Sequence, residues 1–173
     1  ALIAAKHQGM FDFIGPFDVL PDACFVLKKE LLEGPLFGWH CLKTQMIPID
    51  RGNTAESVAR LNAQAQRIVD DCACTIAFAE GTRSRTGAIA PFKKGAFMLA
   101  LTAQVPVVPV SIEGARKVLP PDGFRVRPGV VRIDIGDPIP TAGMTLDDRD
   151  ALIARAHDAV VAMNVAAGGL GDA

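Results

Sequence analysis

The chain holds 173 residues, half of them hydrophobic and 21% charged, with 18 Lys and Arg set against 19 Asp and Glu for a net charge of −1. This length and composition exclude a disordered polypeptide and suffice for one domain whose core needs neither disulfide nor structural metal. A net charge so close to zero excludes a general attraction to nucleic acid or to an anionic membrane, leaving only local patches for such binding.

In chain order, the opening run Ala1 to Ala5 is too short, and lacks the preceding basic region, for a secretory signal. Ala23 to Leu27, Met46 to Ile49 and Cys74 to Phe78 have the composition of buried parallel strands. Between the last two, Asn53 and Glu56 make an Asn-x-x-Glu capping signal, and Val58, Leu61, Ala65, Ile68 and Cys72 recur at steps of three and four. A second helix is expected from about Lys93 to Gln104, buried because Ala96 to Leu101 is apolar on every side. Ala96 to Ala103 is among the longest apolar stretches and falls short of the roughly 18 residues that a membrane-spanning helix needs. Val107 to Ile112 follows as a core strand, and Arg125 to Arg127 and Val130 to Ile135 flank a Pro128-Gly129 turn signal that suggests an edge hairpin. Thr145 suits the N-cap of a closing helix, with Asp147 and Asp148 in its first turn and Leu152, Ala156, Val160, Met163 and Ala167 as the buried stripe. The expected fold is α/β: a single domain over residues 1–173, with a mostly parallel central sheet flanked by helices and an antiparallel edge hairpin.

The four cysteines, Cys24, Cys41, Cys72 and Cys74, form no C-x2-C pair, so they read as small buried side chains in a reducing compartment and no metal site is expected. The polar positions near strand ends carry more. His7 and Asp12 are five residues apart, which on an ideal helix places them about 140° from each other. They meet if His7 lies before the first turn and Asp12 points back from within it, and the carboxylate then fixes the imidazole tautomer and stabilises the imidazolium. The bland alternative is a surface or capping pair. Glu80-Gly81-Thr82-Arg83 follows an expected strand, at the end where open α/β sheets bind ligands. Gly81 permits a tight turn, Thr82 offers a hydroxyl and Arg83 can grip a phosphate with two parallel hydrogen bonds, although a solvated turn with an internal Glu–Arg pair has the same sequence. Arg51, in Ile-Pro-Ile-Asp-Arg, can add a second positive charge or form an ion pair with Asp50.

Taken together and in order, Lys-His-Gln-Gly-Met-Phe-Asp (Lys6 to Asp12), Ile-Pro-Ile-Asp-Arg (Ile47 to Arg51), Phe-Ala-Glu-Gly-Thr-Arg-Ser-Arg (Phe78 to Arg85) and Val-Pro-Val-Val-Pro-Val (Val105 to Val110) resemble the glycerophospholipid acyltransferases, specifically the 1-acylglycerol-3-phosphate (lysophosphatidic acid) acyltransferases. The resemblance covers roughly His7 to Pro109. It implies a His7–Asp12 general base and an acceptor phosphate held by Arg83 and Arg51, with Glu80, Gly81 and Thr82 around them and Lys28 directed toward the acceptor. It further implies an acyl-donor role for Pro109, set against plain core packing. The chain departs from the family at Lys6, where Asn is usual before the histidine, and at Ala79, where proline is usual.

On that resemblance the reaction is direct transfer of a fatty acyl group from acyl-CoA or acyl-carrier protein to a lysophospholipid hydroxyl, with no tightly bound cofactor. The absence of a Gly-x-Ser-x-Gly elbow agrees with transfer that bypasses an acyl-enzyme. The chain starts without methionine and reaches its histidine within seven residues, so an N-terminal membrane-anchoring segment is expected to be missing. A location at the cytoplasmic face of a membrane follows, with acyl-carrier protein as a candidate partner and no nucleic acid. Arg116, Lys117, Arg125, Arg127 and Arg132 are the one basic concentration suited to anionic headgroups or to the phosphates of coenzyme A. The rival readings are another lysolipid acceptor and a non-catalytic lipid-binding module of the same fold.

Overall fold

The computed structural model describes residues 1–9, 11–12, 20, 23–34, 37–43, 46–49, 55–71, 74–84, 86–120 and 125–169. Six strands form one sheet: β1 (Leu2–Ala5), β2 (Ala23–Lys28), β3 (Ile47–Ile49), β4 (Cys74–Phe78), β5 (Val107–Glu113) and β6 (Arg132–Ile135). Their spatial order is β3-β2-β4-β1-β5-β6. Every neighbouring pair is parallel except β5 with β6, which is antiparallel. Among the described residues the helices are α1 (Phe37–Lys43), α2 (Ala55–Asp71), α3 (Lys94–Ala103), α4 (Ala115–Val118) and α5 (Arg149–Ala166), with short 3-10 turns at Lys29–Glu33 and Leu146–Asp148.

β1 is buried over its whole length between β4 and β5, which explains its run of apolar residues without polar alternation. Successive residues still part to opposite faces. Leu2 and Ala4 pack with Ala65 and Ile68 of α2, Phe97 and Leu101 of α3, and Leu152, Ala156 and Val160 of α5. Ile3 and Ala5 turn to the other side, against Phe25, Ile76, Val110, Cys41 of α1 and Ala115 of α4. Helix α3 is buried through Ala96, Phe97, Leu99, Ala100 and Leu101, as its apolar run requires. Phe97 and Leu101 thus belong to the core.

Helix α5 enters through a capping box in which the Thr145 side chain accepts from Asp147 N–H and Asp148 accepts from the Thr145 backbone. Its buried residues are Leu152, Ala156, Val160 and Asn164, so a polar residue takes the fourth place expected of Met163. The Asn53 cap and Cys72 of the preceding helix lie outside the described residues. At the other end of the sheet, the antiparallel edge is present but it is not the expected local hairpin. Residues 125–131 carry no strand; Arg127 donates its N–H to Val118 O, and β6 pairs with β5 in the register Val110 with Ile135 to Glu113 with Arg132. Pro128 has no N–H to give to a ladder, whereas the open flank of β5 offers a full row of partners.

The five parallel strands end on one edge of the sheet. Lys6 and His7 follow β1, Glu80 to Arg83 follow β4 after a single residue, Lys28 closes β2, and Glu113 closes β5. No helix among the described residues is long and apolar enough to cross a membrane.

Candidate active site

The chain leaves β1 at Ala5 and runs through Lys6 to Gly9 without helix or strand before Phe11 and Asp12 take up helical conformation. This break brings together two residues that a continuous helix would separate. His7 Nδ1 lies 2.9 Å from Asp12 Oδ2, with His7 buried and Asp12 fully so. The same oxygen accepts the Gln8 N–H, and the Gly9 N–H at 2.8 Å. Three donors thus converge on one carboxylate oxygen, and one of them is the imidazole. With Nδ1–H donating to Asp12, the lone pair of the ring resides on Nε2, the tautomer a general base requires. Phe78, the last residue of β4, stacks against the ring with centroids 4.0 Å apart and planes inclined by 16°.

Glu80 ties this loop to the next motif. Its carboxylate is fully buried, with Oε1 accepting His7 N–H and Oε2 accepting Ala90 N–H, each at 2.9 Å. Burial raises its pKa above the usual 4.5 against the opposing effect of those two amides and of the Lys6 and His7 charges. Glu80 is therefore an internal brace between the His7 loop and the loop after β4. Ser84 N–H completes the joint by donating to His7 O at 2.9 Å.

Between these two ties, Gly81 turns the chain with φ of 68°, and Thr82 and Arg83 stand exposed. Arg83 makes no ion pair among the described residues, so the internal Glu–Arg pair does not form and the guanidinium is available to an anion. Its neighbour Ser84 donates its N–H to the His7 carbonyl, which sets the backbone of the Arg83 turn beside the His7 loop. Arg51 lies outside the described residues. Lys28 is placed only by its backbone, as the last residue of β2 beside Ile49 of β3 on the same sheet edge.

Pro109 sits within β5, opposite Ala4 of β1, and its carbonyl accepts Gly136 N–H at 2.9 Å. A Cβ on Gly136 would stand 2.9 Å from Pro109 Cγ, so the ring is packed against that glycine inside the sheet. Its position is one of packing, short of the edge that carries His7. Phe92 lines a cleft of about 360 Å³ with Ile89, Pro91, Ile153, Ala154 and His157, and His157 meets the Phe92 ring edge-on at 4.8 Å.

Sequence reasoning did not foresee a polar cluster behind the His7 loop. Glu113 Oε2 receives Lys6 Nζ at 3.2 Å, Gln8 Nε2 at 2.9 Å and Asn164 Nδ2 at 2.9 Å, and Asn164 Nδ2 also lies 3.3 Å from Ser111 Oγ. Lys6, Gln8, Ser111 and Asn164 are all buried. Burial opposes ionisation of Glu113, but the Asn164 amide, the Lys6 charge and the Gln8 amide outweigh it and hold the carboxyl below 4.5. The departure at Lys6 was visible in the sequence; its partner 107 residues away was not.

A parallel α/β sheet with a His–Asp pair and a Glu-Gly-Thr-Arg turn on one edge defines an acyltransferase domain, and the model of the acyltransferase family matches residues 1–113. The chain belongs to that family. It is 33% identical over 161 residues to the human 1-acyl-sn-glycerol-3-phosphate acyltransferase alpha, covering 92% of this chain and 57% of the relative. It is 36% identical over 136 residues to the 1-acyl-sn-glycerol-3-phosphate acyltransferase of Limnanthes douglasii, covering 79% and 48%. A crystal structure of the 1-acyl-sn-glycerophosphate (LPA) acyltransferase PlsC from Thermotoga maritima superposes with a TM-score of 0.72 at 25% identity, covering 92% of this chain and 62% of that one. The chain spans about half the length of the curated relatives it matches.

Proposed function

We propose that the chain is the catalytic domain of an enzyme that moves a fatty acyl group from an acyl thioester to the free hydroxyl of 1-acylglycerol-3-phosphate, giving phosphatidic acid. His7 Nε2 takes the hydroxyl proton as the oxygen attacks the thioester carbonyl carbon. The carbon–sulfur bond then breaks, and the departing thiolate receives the proton back from the imidazolium. Asp12 keeps the ring oriented and balances its charge. Arg83 and Thr82, with Arg51 and Lys28 from neighbouring strand ends, hold the acceptor phosphate. The donor is acyl-CoA or acyl-carrier protein, no tightly bound cofactor takes part, and the reaction runs at the cytoplasmic surface of a membrane. The domain occupies residues 1–173.

The observation that carries this reading is the 2.9 Å contact between His7 Nδ1 and Asp12 Oδ2 beside an exposed arginine turn that is hydrogen-bonded to the same loop. The names of the relatives support the choice of acceptor. Acyl transfer in the full-length protein, measured over a panel of lysolipids with and without phosphate, tests it. His7→Ala should lower kcat by about 10²- to 10⁴-fold. Arg83→Ala should raise KM for 1-acylglycerol-3-phosphate while leaving the small activity on 1-acylglycerol unchanged. Equal losses on both acceptors overturn the phosphate assignment, and wild-type protein that binds acyl thioester without turnover overturns the enzyme in favour of a lipid-binding module.

A further inference from the structure

We infer that Glu113, with Asn164 behind it, is a positioning device that sets the His7 imidazole by clamping the residues on both sides of it. The inference rests on the reading of His7 as general base. Lys6 and Gln8 flank His7 in a stretch that belongs to no helix or strand; Lys6 N–H still donates to Val110 O of β5 at 3.2 Å, and no regular ladder continues past it. Their side chains instead converge on one oxygen, Glu113 Oε2, at 3.2 and 2.9 Å. Gln8 then links the two carboxylates of the region: its side-chain amide binds Glu113, and its backbone N–H binds the Asp12 oxygen that receives His7 Nδ1. A shift of Glu113 is passed through Gln8 to the His–Asp contact.

The position of the cluster points the same way. An ion pair whose lysine is fully buried and whose half-buried carboxylate is wrapped in amides is costly to desolvate and contributes less to stability than apolar packing of equal volume, so its gain lies in fixing a geometry. Lys6 is fully buried, and among the described residues the polar groups gathered at its partner come from the loop after β1 and the last turns of α5. Glu113 closes the strand next to β1, so it is anchored by the sheet before it anchors the loop. Asn164 is set from further out. Gly169 donates its N–H to Asn164 O at 2.9 Å and packs so closely that a Cβ there would stand 2.5 Å from Oδ1 and 2.8 Å from Nδ2 of the Asn164 side chain.

Steady-state kinetics and thermal unfolding of the full-length protein carrying Glu113→Ala, Asn164→Ala, Gly169→Ala or the pair Lys6→Met with Glu113→Gln test the device. A loosened loop misaligns the base without touching the phosphate site, so the single variants should lose about 10- to 100-fold in kcat while KM for acceptor and donor stays within about twofold. The paired variant removes both charges yet keeps an acceptor for Gln8 and Asn164, and should recover most of the kcat lost in Glu113→Ala. Glu113→Ala leaves the Lys6 charge buried without its partner, and if that variant does not fold, Asn164→Ala and Gly169→Ala carry the decision. Folded single variants with wild-type kcat, or a loss confined to KM, overturn the inference, as does a paired variant no better than Glu113→Ala. Retained turnover in His7→Ala removes the base and its positioning together, whereas a silent His7→Ala beside a fully active Asn164→Ala removes the positioning alone.

Discussion

At the scale of single residues, the site depends on one oxygen with three donors. Asp12 Oδ2 accepts from the His7 ring and from the amides of Gln8 and Gly9, so the carboxylate serves the loop and the imidazole at once. Asp12→Asn retains a carbonyl oxygen for these donors but loses the charge that stabilises the imidazolium in the transition state, and it presents an NH₂ that can force the wrong tautomer. The expected outcome is a fall in kcat of about 10²- to 10⁴-fold with KM little changed and the fold retained, read from initial rates beside a circular-dichroism melt. Loss of folding in place of loss of rate would assign Asp12 to structure. His7 and Asp12 were legible because their chemistry and spacing are local. Glu80 was legible as a motif but its bracing contacts were not, since nothing in Glu-Gly-Thr-Arg tells that both carboxylate oxygens turn inward to the amides of His7 and Ala90. Burial decides that, and burial is a property of the folded neighbourhood.

Strands and helices were more readable than their partners. Cys74 to Phe78 and the buried helix near Lys94 to Ala103 lie where apolar runs of their lengths place them, because a strand or helix buried on all sides needs no polar alternation. The edge strand was harder. Pro128-Gly129 is a local turn signal, whereas the pairing of Glu113 with Arg132 is set by which flank of the sheet is open, and a single stretch of sequence does not carry that information. The junction between β5 and α4 makes the constraint testable. Gly114 has φ of +88°, and a Cβ there would stand 2.3 Å from Val130 O, a backbone atom. Gly114→Ala must therefore strain its own backbone and push away the chain that leads into β6. A loss of roughly 1–3 kcal/mol in chemical denaturation is expected. Because Glu113 precedes it, kcat should fall along with stability; an unchanged denaturation midpoint would show that the junction yields freely.

For the whole molecule, two glutamates on one sheet edge, Glu80 buried and Glu113 half-buried, give opposite responses to acid. Glu113 has its pKa held below 4.5, so its contribution to stability is present above that value and is lost as pH falls through the lowered pKa. Glu80 has its pKa raised by burial, so the folded state favours its protonated form, and the associated stability is present below 4.5 and is lost as pH rises through the raised pKa. Acid therefore weakens the clamp behind His7 while easing the desolvation of the brace in front of it. The paired variant Lys6→Met with Glu113→Gln removes only the first response. Urea denaturation of the wild type and the variant from about pH 7 to about pH 3 should show the stability of the wild type relative to the variant falling steadily below pH 4.5. A difference that stays constant over the range would mean that Glu113 does not ionise more readily in the folded protein, and the charge on which Lys6, Gln8 and Asn164 converge would not be what holds them there.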